Sequence, residues 1–123
     1  MNNEQQPILI DWFCSAGGTS VGYARAGFDV VGCDIKPQPR YPFDFLQMDV
    51  LDALRLLLVS EALRFGDTLI SLADVAAHGA RPPCQFYTRL PGDFSHYPDL
   101  IRVTREMLVA TSKPYAIEKA IIP

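Results

Sequence analysis

The feature that most constrains the fold is a short apolar run followed at once by a glycine turn. Residues 8–13 read ILIDWF, an apolar run with one acid, which is typical of a strand buried on both faces. The next residues, CSAGG, form a glycine turn. The segment TSVGYARAG then predicts a short helix that Thr19 or Ser20 caps and Gly27 ends. A strand, a glycine turn and a helix in this order indicate the first unit of an α/β fold.

The same alternation continues along the chain. The later predicted elements are strands over 28–34 and 43–49, a helix over 53–65 that Asp52 caps and Gly66 ends, a strand over 74–78, a helix over 97–112 and a last strand over 114–118. Together they predict a Rossmann-like, doubly wound and mostly parallel sheet. At 123 residues the chain has the size of one domain, which we assign to residues 7–123 after a flexible tail over 1–6.

Composition excludes several classes of protein. No apolar run is long enough to span a bilayer, and the polar start MNNEQQP is not a signal peptide. The three cysteines show no CxxC spacing, which argues against a zinc site and for a reducing cytoplasm. We therefore expect a cytoplasmic protein without a membrane or metal partner. The net charge of −3 argues against a simple nucleic-acid binder. The charge is uneven, however, and the last third of the chain carries 6 basic and 4 acidic residues.

In a parallel sheet, ligands bind beyond the carboxyl ends of the strands, and polar or flexible residues gather there in this sequence. Gly17 and Gly18 follow the first strand and would let a ligand approach main-chain N–H groups. Asp34 ends the second strand, where a carboxylate can accept both hydroxyls of a ribose. The spacing is not the dinucleotide pattern GxGxxG, so a tight turn and a solvated strand-end acid remain open alternatives.

Asp49 repeats this geometry at the third predicted strand. With Asp34 it would define a pocket for an adenosine, in which Asp49 binds the adenine amino group and Phe13 and Ile35 supply apolar flanks. The alternative for Asp49 is an acid that simply precedes a helix.

The segment RPPCQ, residues 81–85, places a cysteine after two prolines. The residues alone leave open whether Cys84 is a reactive thiol or an inert loop residue. Cys14 and Cys33 are predicted to be core residues without chemistry. His78 is predicted to be packed at a strand end, and His96 to be solvated.

The quoted segments together resemble the DNA cytosine-5 methyltransferases. DWFCSAGGTSVGYARAGFDVVGCD resembles the first two motifs of that family, whose usual first motif reads DLFCGAGG. PPCQ resembles the family's catalytic loop, and YAIEKA stands where the family has an Ile-Glu-Asn-Val run. The order of motifs covers nearly the whole chain.

The resemblance implies S-adenosylmethionine as cofactor, cytosine-containing DNA as partner, methyl transfer to carbon 5 of cytosine, and a bacterial or phage source. It implies that Cys84 is the nucleophile and that Glu118 holds ring nitrogen 3. The residues implied in cofactor binding are Phe13, Ser15, Gly17, Gly18, Asp34, Ile35, Asp49 and Pro82.

Three substitutions depart from the family pattern. Ser15 replaces a glycine, which costs stability if the position needs a positive φ. Arg81 replaces a small residue and would crowd the cationic sulfonium, and Lys119 replaces an asparagine and would pair with Glu118. The later family motifs have no counterpart, since the sequence stops at IIP, so we expect a short, truncated or phage-type member. Two alternatives stay open: a binding module without transfer activity, and another α/β nucleotide-binding enzyme.

Overall fold

Strands and helices alternate along the chain in the computed structural model, which describes residues 6–83 and 99–118. The elements are β1 (Ile8–Trp12), α1 (Gly18–Arg25), β2 (Asp29–Asp34), β3 (Asp44–Gln47), α2 (Val50–Ser60), β4 (Ala62–Phe65), β5 (Thr68–Ser71), β6 (Val75–Ala80), α3 (Leu100–Ala110) and β7 (Tyr115–Ile117). A short 3-10 turn over Leu72–Asp74 leads into β6.

Five of the strands form one sheet in the order β3-β2-β1-β6-β7, and every pairing in it is parallel. The chain moves outward from β1 to β2 and β3 on one side, and then returns to the other side of β1 for β6 and β7. The predicted α/β fold with a mostly parallel sheet is therefore confirmed. The reversal of direction lies between β1 and β6, and this is where such sheets bind ligands.

One face of the sheet carries the main hydrophobic core. Ile10 and Trp12 of β1 alternate with residues of the opposite face, and they pack with α2, α3 and the β4–β5 hairpin. Leu54 and Leu57 of α2 are fully buried there, and each contributes about 2 kcal/mol by leaving water. The ring of Phe65 meets Trp12 edge-on, with the ring centroids 6.2 Å apart. The hairpin is thereby fixed against the centre of the sheet.

The helix predicted over 53–65 is wrong in its second half. α2 ends at Ser60, Glu61 adopts a left-handed conformation with φ 59°, and Ala62–Phe65 forms an antiparallel hairpin with Thr68–Ser71. The two-residue loop starts at Gly66 with φ +58°, as short hairpin loops require. Burial alternates along β4 with the two-residue period of a strand, although the leucines of this segment also fit the period of a helix.

Two predicted helix caps are also wrong. α1 begins after Gly17 with no side-chain cap. Ser20 lies inside the helix, and its hydroxyl donates a hydrogen bond to Asp11 of β1. Asp49 rather than Asp52 caps α2, by accepting a hydrogen bond from the Asp52 N–H at 3.1 Å. The predicted stop at Gly27 is confirmed, since this residue follows α1 with φ 108°.

The remaining boundaries shift by a few residues. β3 ends at Gln47, so Asp49 begins a helix instead of closing a strand, and β6 runs from Val75 to Ala80 rather than over 74–78. Asp99 caps α3, where the helix was predicted from residue 97. Within the described ranges no helix is long and apolar enough to cross a membrane.

Candidate functional site

The carboxyl ends of the parallel strands meet at one edge of the sheet, beside a cavity of about 700 Å³. We call this cavity the strand-end pocket. It is lined by Asp11, Phe13, Cys14, Ser15, Gly18, Thr19, Asp34, Ile35, Lys36, Gln38, Asp49, Val50, Leu51, Arg81, Pro83 and Leu100. The structure thus brings together six of the residues predicted to bind a cofactor: Phe13, Ser15, Gly18, Asp34, Ile35 and Asp49. Their binding role stays a prediction.

The glycine turn after β1 is held by unusual backbone geometry. Phe13 and Ser15 both have positive φ, at 60° and 51°, so Ser15 adopts the left-handed conformation that favours glycine. Gly17 has φ +101° and is buried, and a Cβ there would stand 2.8 Å from Cδ of Pro42. A Cβ on Gly18 would meet no atom within 4 Å. Gly17 therefore serves the turn, whereas Gly18 leaves open space beside the pocket.

Asp34 connects the ends of β1 and β2. Its Oδ2 accepts a hydrogen bond from the Ser15 N–H at 3.0 Å, and its Oδ1 accepts one from the Lys36 N–H at 3.1 Å. The side chain is buried, with 9% of its surface exposed. Because each carboxylate oxygen has a second lone pair, Asp34 can accept further hydrogen bonds in a fixed orientation. This geometry suits the two hydroxyls of a ribose.

Asp49 has a structural task as well as a place on the pocket. Its Oδ1 caps α2, and Val50 and Leu51 continue along the pocket from there. Asp49 thus precedes a helix and also lines the pocket, while its role in binding an adenine stays a prediction.

Asp11 lies on the pocket and was not predicted as a site residue. It is 1% exposed, and in register it stands between Gly32 of β2 and Gly79 of β6. Burial raises the pKa of Asp11 to about 6, against the lowering effects of its Ser20 hydrogen bond and the Arg81 charge. The available signal in the sequence was a single acid inside an apolar strand. Burying a carboxylate costs free energy, so such a residue often has a functional role.

Two tyrosines fill the space that the neighbouring glycines leave. A Cβ on Gly79 would stand 2.7 Å from the Tyr23 hydroxyl oxygen, and one on Gly32 would collide with the Tyr41 hydroxyl. Ser20 donates to Oδ2 of Asp11 at 2.5 Å, and its oxygen lies 2.9 Å from the Tyr41 oxygen. Asp11 is therefore enclosed by hydroxyl groups from α1 and from the loop after β2.

Arg81 and Glu118 follow β6 and β7. The Arg81 N–H bonds to the Trp12 carbonyl at 3.2 Å, and the Glu118 N–H bonds to the Ala80 carbonyl at 2.9 Å. Arg81 lines the pocket, whereas Glu118 is exposed and does not line it, although its charge contributes to raising the pKa of Asp11. Both ends are thus fixed to the neighbouring strand by backbone hydrogen bonds.

The remaining predicted site residues either do not line the pocket or lie outside the described residues. Gly17 and Pro82 are buried and do not line the pocket, which Pro83 reaches instead. Cys84 and His96 lie outside the described residues. Lys119 does too.

The described cysteines are unsuited to nucleophilic chemistry. Cys14 and Cys33 are free and buried, and desolvation raises the pKa of both thiols, that of Cys33 to about 12. In the same described ranges, no group of three or more His, Cys, Asp or Glu residues is arranged to hold a metal ion.

The pocket fits the cofactor that the resemblance implies. Its volume lies within the roughly 300–1,000 Å³ of small-molecule sites. The oriented acceptors of Asp34 suit a ribose, the exposed Ile35 offers an apolar surface for a base, and the open space at Gly18 allows close approach to the main chain.

Comparison with known proteins supports the fold. No protein-family model matches the chain, and no curated protein sequence matches it. A solved structure described as a SAM-dependent methyltransferase from Agrobacterium tumefaciens superposes with a TM-score of 0.56 at 14% identity. The match covers 97% of this chain and 40% of the other, so the chain spans less than half the length of that protein. The chain has a methyltransferase-like fold.

Proposed function

We propose that the protein transfers a methyl group from S-adenosylmethionine to carbon 5 of cytosine in DNA, with Cys84 as the nucleophile. The observation that carries the proposal is the position of Asp34, a buried and oriented carboxylate at the end of β2 beside a cavity of about 700 Å³. The methyltransferase-like fold and the order of the sequence motifs support the same reaction.

The cofactor's adenosine would occupy the part of the pocket near β2 and β3. Asp34 would accept hydrogen bonds from the ribose hydroxyls, and Asp49 would accept one from the adenine amino group. Ile35, which is 57% exposed, would cover one face of the base. When bound, the cofactor supplies an electrophilic methyl group.

The chain's own residues would activate the cytosine. The Cys84 thiolate would add to carbon 6, which makes carbon 5 nucleophilic. Glu118 would hold a proton at ring nitrogen 3 and so limit the charge on the ring. After carbon 5 is methylated, loss of its proton and departure of the thiolate restore the aromatic ring.

The position of the neighbouring residues supports this role for the loop. Pro83 lines the pocket, and Cys84 is the next residue in the sequence. Arg81 is tied to β1 through the Trp12 carbonyl at 3.2 Å, so the start of the loop is anchored beside the pocket. In duplex DNA the target base must leave the stack to reach such a site.

Two experiments test the proposal in order. Calorimetric titration with S-adenosylhomocysteine should give a micromolar dissociation constant, which corresponds to a standard free energy of binding of about −8 kcal/mol. DNA that carries 5-fluorocytosine should then form a covalent adduct in the presence of the cofactor, because carbon 5 has no proton to lose. We expect the adduct with the unmodified protein and with the control variant Cys33→Ala, but not with Cys84→Ser. An adduct with Cys84→Ser would contradict the assigned nucleophile.

A module that binds the cofactor without transferring a methyl group is the second candidate. It is favoured by Lys119, which follows Glu118 where the family has asparagine. An ion pair with Lys119 would stabilise the charged carboxylate of Glu118 and weaken this residue as a proton donor. Binding of S-adenosylhomocysteine without methyl transfer would favour the module. A gain in transfer rate on Lys119→Asn would favour the enzyme.

A further inference from the structure

Arg81 is one of two residues on the pocket, with Ser15, at which the sequence departs from the methyltransferase pattern that it resembles. Nη1 of Arg81 donates to Oγ1 of Thr19 at 3.4 Å, which draws the guanidinium towards the start of α1. The residue is exposed, and a contact of this length leaves most of its donors free for another partner.

The charges around the pocket separate into two groups. Lys36 lies beside Asp34 at the end of β2, where its N–H bonds to that carboxylate. The opposite end of the pocket lies between β1 and β6. Among the described residues that line the pocket, Arg81 supplies the positive charge at this end. Asp11 lies at this end too, and the Glu118 charge acts on it.

Arg81 does not neutralise these acids by direct pairing. Within the part of the chain that the structure describes, it forms no ion pair with Asp11 or Glu118. Its positive charge does act on Asp11 and Tyr23 through space, where it opposes the rise in pKa that desolvation causes. The guanidinium is therefore an available anion-binding group in an otherwise acidic end of the pocket.

We propose that Arg81 binds the carboxylate of the cofactor's amino-acid end and so orients that end in the pocket. This inference rests on the proposed function. If the adenosine lies at Asp34, the amino-acid end extends towards β1 and β6. A carboxylate there would be repelled by Asp11 and Glu118, whereas its ammonium group would be attracted to them. A guanidinium can bind a carboxylate through two parallel hydrogen bonds, which fixes its orientation.

The test compares two ligands that differ by the carboxylate alone. One is S-adenosylhomocysteine, and the other is its decarboxylated analogue, which keeps the adenosine, the sulfur and the amine. Calorimetry measures both dissociation constants for the unmodified protein, Arg81→Gln and Arg81→Lys. Lys36→Gln is the matched control, because it removes a positive charge from the other end of the same pocket.

We expect the unmodified protein to bind S-adenosylhomocysteine at least about tenfold more tightly than the analogue, because even one of the two charge-assisted hydrogen bonds provides this much. In Arg81→Gln the ratio should fall to about one while the affinity for the analogue is kept, and Arg81→Lys should restore part of the preference. Lys36→Gln should leave the ratio unchanged.

The other outcomes would overturn the inference in distinguishable ways. Equal affinity for both ligands in the unmodified protein, or an unchanged ratio in Arg81→Gln, would reject the carboxylate contact and leave the proposed function standing. An equal loss of affinity for both ligands in Arg81→Gln would show that Arg81 only supports the fold of the pocket. If a folded, unmodified protein bound neither ligand, the cofactor assignment itself would be wrong, and the inference with it.

Discussion

The indole N–H of Trp12 donates a hydrogen bond to Nδ1 of His78 at 2.9 Å, inside the core between β1 and β6. Since an indole can only donate, Nδ1 must be the acceptor, and the proton of the neutral ring lies on Nε2. Nε2 then donates to Oγ1 of Thr111 at 3.1 Å, and the Thr111 hydroxyl donates to the Leu108 carbonyl at 2.6 Å. This chain of hydrogen bonds connects the sheet to the end of α3. It confirms that His78 is packed, although within a strand.

Protonation of His78 should destabilise the protein. Burial, with a smaller effect from the Lys113 charge, lowers the pKa of His78 from 6.5 to about 4. The unfolded chain therefore binds this proton more tightly. The free energy of unfolding should fall by on the order of 3 kcal/mol as the pH drops from 6.5 to about 4. Urea unfolding at several pH values measures this, and His78→Asn, which keeps an acceptor for Trp12, should abolish the contribution. An unchanged pH slope in this variant would contradict it.

Asp11 should have the opposite effect over much of the same range. Its pKa is raised from 3.8 to about 6, so its ionisation costs the folded state on the order of 3 kcal/mol as the pH rises between these values. Asp11→Asn should raise the free energy of unfolding at pH 7 and make the acid sensitivity due to His78 steeper. Urea unfolding of this variant tests both effects. A loss of stability at pH 7 would show that the Ser20 contact needs a carboxylate.

Ser15→Gly should stabilise the fold. Ser15 has φ 51°, and a left-handed conformation costs a residue with a Cβ about 1 kcal/mol relative to glycine. The N–H group that bonds to Asp34 is kept. Thermal unfolding should show a higher midpoint for Ser15→Gly than for the control Ser15→Ala, which keeps the strain. Equal midpoints would mean that the greater freedom of glycine in the unfolded chain cancels the gain.

Gly17→Ala and Gly18→Ala should separate folding from binding. A Cβ on Gly17 would collide with Pro42 and Tyr41 in a backbone conformation that alanine rarely adopts, so we expect a loss of at least about 2 kcal/mol. A Cβ on Gly18 has open space and should cost no stability. Because Gly18 lines the pocket, we expect about tenfold weaker binding of S-adenosylhomocysteine. Calorimetry and thermal unfolding of both variants measure the difference, and unchanged binding by Gly18→Ala would place the ligand elsewhere.

The mostly parallel sheet was predictable, because apolar runs ending in glycine or an acid alternate with helical segments along the sequence. β1, β2 and β6 consist mainly of apolar or small residues, as buried parallel strands usually do. The hairpin was not predicted, because its alternation spans only four residues per strand and its leucines also fit the period of α2. Gly66 and Asp67 between the two runs were the available signal.

The candidate site was predictable where residues lie at strand ends, and not where they lie within strands. Asp34 ends β2 and follows from the rule that ligands bind at carboxyl ends, and Asp49 lies two residues after β3 at the same edge of the sheet. Asp11 does not follow from this rule, since its position on the pocket depends on the glycines of two neighbouring strands that come together only in the folded sheet. Arg81 was recognised as a departure, but the direction of its side chain depends on Thr19, which is 62 residues away in the sequence.

The two hydrogen bonds to Asp34 join the turn after β1 to the turn after β2, so neither turn can open alone without exposing a buried carboxylate. A ligand that uses the remaining lone pairs of Asp34 would hold the carboxylate, and both turns with it. Amide hydrogen exchange at Ser15 and at Lys36 should therefore slow together when the pocket is filled. The two loops would respond to the ligand as one cooperative unit.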